Sequence, residues 1–508
     1  MSDLRFTVPS TDDFDDRVWE TAYLTGIEGI PWFCRHTAGD QAFSISRQID
    51  ESGKLHLIWP SAVVGNTCLE TTSLRIGEED YSLPVELARG TLHRLKTQTD
   101  EWQRVGLRLP NSYFEASELA LEALLDALTS RDEAVRTQRS QYSIECTLHA
   151  ANILVDSFSA QALDARRNSE GRLATLLGCQ LPPTDQFTKL DTALQTAFNV
   201  VSVTADFGTI ESTSGRSDFS VFDRQVDWAV ETDQKLCIGP LVDFRDGKLP
   251  DWLVLLDDGF DSVLEAACLH TAKTVERYKG KAHLWNCAAG INVPNRMRWN
   301  DEEVLRMAVS LIETVRRADE RTPVLLSVDQ PFSEYLRKEE QGISPLHFAD
   351  ALIRADLGLS GLALELNFDQ HPGGTFPRDL MQVNQIIDRW SMLGLPLMVT
   401  LTAPTSAAPS SEKRCSAWKT PELTSWPAQP AEHATTPSDA PAWPMTGIYH
   451  PESIVRLLVS KPAVHAVLWN EMFDPTDSSE SPNGLWTREG TAKPLLEGLA
   501  KLRKTALH

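Results

Sequence analysis

From about Arg172 to the end of the chain, short apolar runs alternate with segments of helical periodicity. The runs are LATLLGCQL, NVVSVTADF, KLCIGPLVDF, AHLWNCAAGI, PVLLSVDQPF, SGLALELNF, LPLMVTLTA and AVHAVLWNEMF. Amphipathic segments such as DSVLEAACLHTAKTVERY and DEEVLRMAVSLIETVRRA lie between them. Runs of this kind are buried on both faces, as in parallel sheets whose crossovers are helices. Eight strand–helix units predict an α/β fold, a closed (β/α)8 TIM barrel over residues 171–508. An open doubly wound sheet is the alternative. The absence of a Gly-rich phosphate fingerprint after any strand argues against a dinucleotide-binding version of it.

The chain has 508 residues, more than this barrel needs. Residues 1–95 read as strands and turns (AFSISRQI, KLHLIWPSAVV, CLETTSLRI), predicting a β-rich, sandwich-like accessory unit. Trp32 and Trp59 there are read as core side chains rather than sugar contacts. Residues 96–170 form a helical connector, the helical period itself beginning near Pro84, with a second helix starting at Ser112 or at Glu115–Ser117. An insert rich in Pro, Ser and Ala, residues 403–444, follows the seventh strand and carries Trp418, Trp426 and Trp443. It is either a structureless excursion or a lid over the active face.

A formal charge of -23 makes nucleic acid a poor partner. No apolar run is long enough for a membrane span, and the acidic start has no secretory signal, so a cytoplasmic location is expected. Cys179, Cys237 and Cys287 lie in apolar runs, without CxxC or Cys/His spacing. Reduced core thiols are expected, with no cofactor and no metal.

Several segments carry a resemblance to glycoside hydrolase family 10, the xylanase family. Phe198–Ser202 resembles its F-N-x-V-T strand, and Ser217–Ala229 its F-x-x-x-D-x-x-V-x-x-A helix. Leu249–Trp252 matches L-P-x-W, and Tyr278–Lys281 into Leu284–Asn286 resembles Y-x-G-K leading to W-D. Leu393–Thr400 resembles the G-L-P-I-x-I-T strand. Trp469 and Gly484–Trp486 to Lys493–Pro494 resemble the closing W strand and G-L-F to K-P. The resemblance spans about Leu176 to Leu502, in the family's order. It implies a carbohydrate-active barrel, but the family's catalytic pair is missing. Gly290 stands where the general acid would follow the fourth strand, and Leu401 follows Thr400 where the nucleophile would be. The strand-three region reads Gly239–Phe244, and the sixth-strand Q-x-H reads Glu365-Leu366-Asn367.

The strand ends are nonetheless polar: Asp206 with Glu211, Asp243, Asn286, Asp329 with Gln330, Glu365 with Asn367, and Trp469-Asn470-Glu471. Active sites of such barrels are built at these ends. So many carboxyls must be protonated, paired or metal-bound, with Arg245, Arg296, Arg298 and His283 available as partners. Glu365 and Glu471, on strands two apart, form the leading acid–base pair. A structural ion pair at Glu365 and a loop cap at Glu471 are the competing readings. Asp243, Asn286, Asp329, Asn367, Trp469 and Asn470 are the expected substrate contacts. Turn capping at Asp329 and a core role for Trp469 stand beside that reading. Asp369 and His371 lie in a turn-rich loop as further candidates, and His283 either enters the barrel or is a satisfied core histidine. Retaining glycosidases hold two carboxyls about 5–5.5 Å apart. The expected function is a divergent glycoside hydrolase-like protein acting on an O-glycosidic bond of an oligosaccharide or glycan through a rebuilt pair. The alternative is an inactive carbohydrate-binding or scaffold barrel. Oligomeric state is left open.

Overall fold

A computed structural model describes residues 2–8, 17–39, 41–77, 79–255, 259–294, 297–339, 342–368, 374–405, 451–475 and 482–508. Residues 406–444 of the insert with its three tryptophans, Arg296, Asp369 and His371 fall outside them.

All eight apolar runs form strands: β1 (Leu176–Gln180), β2 (Val200–Val203), β3 (Lys235–Ile238), β4 (Leu284–Asn286), β5 (Val324–Asp329), β6 (Gly361–Asn367), β7 (Leu397–Thr402) and β8 (Val464–Trp469). They pair in parallel and in sequence order, and β8 closes on β1. This is the TIM barrel the alternation predicts. Side chains alternate along each strand, so every second residue enters the barrel. The lower interior is apolar: Val200, Cys237, Leu325, Ala363, Met398 and Leu468 form one buried cluster. Two residues further along β5 and β6, the inward positions become Ser327 and Glu365, then Asp329 and Asn367. The interior therefore changes from oil to hydrogen-bonding groups towards its C-terminal mouth.

Local signals set the surrounding helices. Asp301–Ala318 starts with a capping box between Asn300 and Glu303, and Leu380–Ser391 with one between Asp379 and Gln382. A short parallel ribbon, Val242–Asp243 beside Ala288–Ala289, continues above β3 and β4 and sets Asp243 and its neighbours at the mouth.

The N-terminal region contains two small sheets. Cys34–Gly39, Ala42–Arg47, Ser2–Thr7 and Tyr81–Ser82 form one; Tyr23–Thr25, Lys54–Trp59 and Thr67–Glu70 form the other. Leu4, Phe6, Phe43, Ile45, Leu55 and Trp59 belong to the main buried core. Trp59 is fully buried, whereas Trp32 is half-buried, packed under the Arg47 guanidinium 5.5 Å from its ring centre. Three helices follow: α1 (Leu83–Arg104), α2 (Asn111–Thr129) and α3 (Glu133–Glu170). The second starts at Asn111, one to a few residues earlier than its polar residues suggest, because Pro110 supplies the extended backbone before the first turn. Asp132 caps α3 by accepting from the Ala134 and Val135 amides at 2.9 and 3.2 Å.

The two regions meet at a buried polar seam. Arg378, 2% exposed, donates to the Tyr23 hydroxyl at 2.9 Å and to Glu334 at 2.8 Å. Arg94 of α1 pairs with Asp379, and the Cys68 amide donates to the Pro377 carbonyl at 2.8 Å. The N-terminal region thus grips the segment that follows β6. The seven cysteines among the described residues are free. No helix among the described residues is long and apolar enough to cross a membrane.

Candidate active site

Parallel register places Asp329 of β5 beside Glu365 of β6, and Glu365 beside Thr400 of β7. Residues in register on neighbouring strands share a face, so the two carboxyls stand side by side in the barrel mouth. Asp329 is 3% and Glu365 4% exposed. A third carboxyl, Asp243, enters from the ribbon above β3 and is 5% exposed.

One cation faces all three. Arg245 donates from Nε and Nη2 to Asp243 at 2.9 and 2.6 Å, a bidentate contact. Its Nη1 lies 3.6 Å from Asp329 and 3.9 Å from Glu365. The sequence named Arg245 only as one available partner; the structure makes it the centre of the cluster. Arg298 is exposed, and so is His283, whose Nδ1 accepts from the Leu236 amide at 3.1 Å. His283 therefore neither enters the barrel nor sits in the core: it holds the start of β3 from outside.

Neutral groups complete the network. Ser327 donates to Glu365 at 3.0 Å and receives the Asn286 amide at 2.8 Å. The Gly290 amide donates to Asp329 at 2.7 Å, while Asn292 bonds the Asp329 backbone on both sides. Asn367 reaches Glu365 at 3.4 Å and accepts from Thr402 and Asn470, each at 2.8 Å. Asp243, Asn286, Asp329, Glu365, Asn367 and Asn470 are thus brought into one chain of contacts. Glu471 follows Asn470 directly and is half-buried, its carbonyl accepting from the Leu485 amide at 3.3 Å. Trp469 is 2% exposed in the main core, with its ring N–H donated to the Asn483 carbonyl at 2.9 Å. Its surroundings are those of a core tryptophan, not of an open platform.

Asp206 and Glu211 lie apart from the cluster's contacts. Asp206 caps the short helix Phe207–Ile210, and Glu211 accepts from the Gly215 amide and Ser217 while facing Lys273 at 3.6 Å. Ser327 and Asn292 were missed by sequence reasoning. Ser327 was findable, since it lies two residues before Asp329 on one strand and must share its face. Asn292 is a loop residue with no such signal.

Burial acts on the three carboxyls alike; their neighbours separate them. Burial pushes Glu365 up to about 7, the Asp329 and Asp243 charges add to this, and Arg245 and Ser327 pull against it. Asp329 is raised by burial and by Asp243, with Arg245 and the Gly290 amide opposing. Burial would also raise Asp243, but the bidentate guanidinium outweighs it and holds that carboxyl below its usual range. Arg245 stays charged although half-buried, because the carboxylates around it raise its pKa well above the ordinary value. Near pH 7 the mouth therefore contains an ionised Asp243–Arg245 pair and a Glu365 carboxyl poised between protonated and ionised forms.

Packing explains the glycine at position 290. Gly290 has φ +72°, and a Cβ there would lie 2.7 Å from the Arg245 amide nitrogen and 2.8 Å from its Cγ. Arg245 fills the space that a side chain at 290 would need. No group of three or more His, Cys, Asp or Glu side chains arranged to hold a metal ion occurs among the described residues.

No protein-family model and no curated protein matches the chain. Solved structures do match. Xylanase 10B from Thermotoga petrophila, crystallised in complex with xylobiose, is 13% identical with a TM-score of 0.47, over 68% of this chain and 96% of that one. The GH10 structure from Paenibacillus barcinonensis is 14% identical with a TM-score of 0.48, over 69% and 98%. An intracellular xylanase from Thermoanaerobacterium saccharolyticum is 14% identical with a TM-score of 0.45, over 64% and 95%. The chain is thus similar, at low identity, to two xylanases and a GH10 structure.

Proposed function

We propose that this barrel cleaves an O-glycosidic bond in an oligosaccharide or internal glycan, with Glu365 as proton donor and Glu471 as the second carboxyl. The observation that carries the proposal is the Glu365 carboxyl, inward-facing and buried at the barrel mouth beside Asp329, where burial pushes its pKa up to about 7. A general acid works best when its pKa lies near the operating pH. In its protonated form Glu365 gives its proton to the glycosidic oxygen as the bond to the anomeric carbon breaks. Glu471, half-buried and next to Asn470, takes the second role, attacking the anomeric carbon or removing a proton from the attacking water. Two amides run from Glu471's chain neighbour to Glu365: Asn470 donates to Asn367, and Asn367 donates to Glu365. Asp243, Asn286, Asp329, Asn367 and Asn470 offer acceptors and donors for sugar hydroxyls, and Trp469 backs the floor of the site from the core. The motif resemblance supplies the substrate class. A cytoplasmic location suits an oligosaccharide better than an insoluble polymer.

One observation favours a silent, sugar-binding barrel as the second reading: Arg245 satisfies Asp243 and approaches the other two carboxyls, so the cluster is partly neutralised without a substrate. Release of reducing sugar from a panel of aryl-glycosides and oligosaccharides separates the two. The hydrolase reading expects turnover that is lost in Glu365→Gln and Glu471→Gln while both variants stay folded. Sugar binding by calorimetry with no turnover across the panel would establish the silent barrel instead.

A further inference from the structure

A second cavity lies away from the barrel mouth, where the second N-terminal sheet, α1 and the helix Leu380–Ser391 meet. Its volume is about 360 Å³, within the roughly 300–1,000 Å³ of small-molecule sites. In a chain of net charge -23 its wall concentrates four cations, Lys54, Arg94, Arg378 and Arg389, against the acids Glu70 and Glu101.

The cations are not equally committed. Lys54 pairs with Glu70 at 3.1 Å, and Arg378 with Glu334 at 2.8 Å. Arg94 is 4% exposed and reaches Asp379 through Nη2 alone; its Nε and Nη1 have no hydrogen-bond partner among the described residues. A buried guanidinium with two nitrogens unpaired is costly unless something else accepts from it. Arg389 approaches from the facing helix, half-buried, with the charge of Glu28 acting on its guanidinium. Gln98 of α1 and Gln382 of the facing helix, both buried, add amide groups to the same wall.

We infer that this cavity binds a small ligand carrying an oxyanion, a carboxylate or phosphate borne by a sugar-sized molecule, held between Arg94 and Arg389. A planar guanidinium matches such a group through two parallel N–H bonds, and the amides suit the hydroxyls beside it. The inference does not depend on the barrel mouth being active.

Calorimetry on the full chain at fixed ionic strength tests it, with glucuronate, glucose 6-phosphate, inorganic phosphate and neutral glucose as probes. The expected result is binding of at least one oxyanion with a Kd below about 1 mM and none of glucose. Glucuronate binding alone identifies a sugar acid; glucose 6-phosphate or phosphate binding identifies a phosphate group. Arg389→Ala, at a half-buried position, is expected to weaken binding at least tenfold while unfolding at a midpoint close to that of the parent. Arg94→Lys keeps the charge beside Asp379 but loses the bidentate fork, and is expected to weaken it similarly. Absence of binding by every oxyanion, glucose binding as well as glucuronate, or undiminished binding to folded Arg389→Ala would each overturn the inference.

Discussion

Glu365 is 4% exposed, accepts from Ser327 and lies 3.9 Å from a guanidinium, yet burial pushes its pKa up to about 7. Burial and two neighbouring carboxyls outweigh the cation that would otherwise hold it ionised. This has a consequence for stability. The folded pKa lies above the ordinary value of 4.5, so the proton is held more tightly in the folded chain. The contribution is fully present below about pH 4.5 and is lost as pH rises through about 7, on the order of 3 kcal/mol in all. Glu365→Gln cannot ionise, so urea unfolding should show it gaining on the parent protein between pH 5 and pH 8. Arg245→Met has the opposite signature. It leaves three buried carboxyls without their shared cation, and should destabilise the chain by about 2–3 kcal/mol at pH 8, discounted because Arg245 is one-third exposed. The loss should shrink at pH 5, where Glu365 and Asp329 are more readily protonated.

At the scale of elements, the site depends on β5 and β6 in register and on the ribbon above β3 and β4. The strands were legible because parallel strands read as apolar runs, and a polar residue inside such a run stands out, as Glu365 does. The central ion cluster was harder to read. Arg245 lies in a loop whose path over the barrel is set by the Val242–Asp243 pairing with Ala288–Ala289, a two-residue ribbon too short to leave a periodic signal. His283 misled for a related reason: it precedes β4 in sequence, but its side chain faces outward. Gly290 ties these elements together, because its backbone must approach Arg245 closely and donate to Asp329. Gly290→Ala should cost about 1–3 kcal/mol, from the positive φ and the clash with Arg245, as read by thermal or denaturant unfolding. Gly290→Glu introduces the residue type of the family 10 motif that this segment resembles but should not bring xylan hydrolysis, since the space belongs to Arg245. Robust xylan cleavage by that variant would refute this explanation of the glycine.

For the whole molecule, the N-terminal region does more than accompany the barrel. Its strands and α1 grip residues 374–379, the segment leaving β6, through Tyr23 with Arg378 and Arg94 with Asp379, while Glu334 of the barrel pairs with the same Arg378. Thr375 in that segment donates to the Asn367 carbonyl at 3.0 Å, so the grip reaches the strand end that carries Glu365. Glu334→Gln would leave the Arg378 charge buried without its carboxylate and should cost about 3–5 kcal/mol. It should shift the unfolding of both regions together, with near-ultraviolet dichroism and tryptophan fluorescence giving one coincident midpoint. Two separated transitions would show that the seam does not couple them. The central claim concerns the proton on Glu365, and it is tested most directly by the pH dependence of aryl-glycoside hydrolysis in the parent protein and in Glu365→Gln. The account predicts a rate that falls as pH rises through about 7, and a loss of about 10²–10⁴-fold in Glu365→Gln at the optimum. Hydrolysis that persists undiminished in Glu365→Gln with the same alkaline limb, or its absence from the parent protein at every pH, would contradict it.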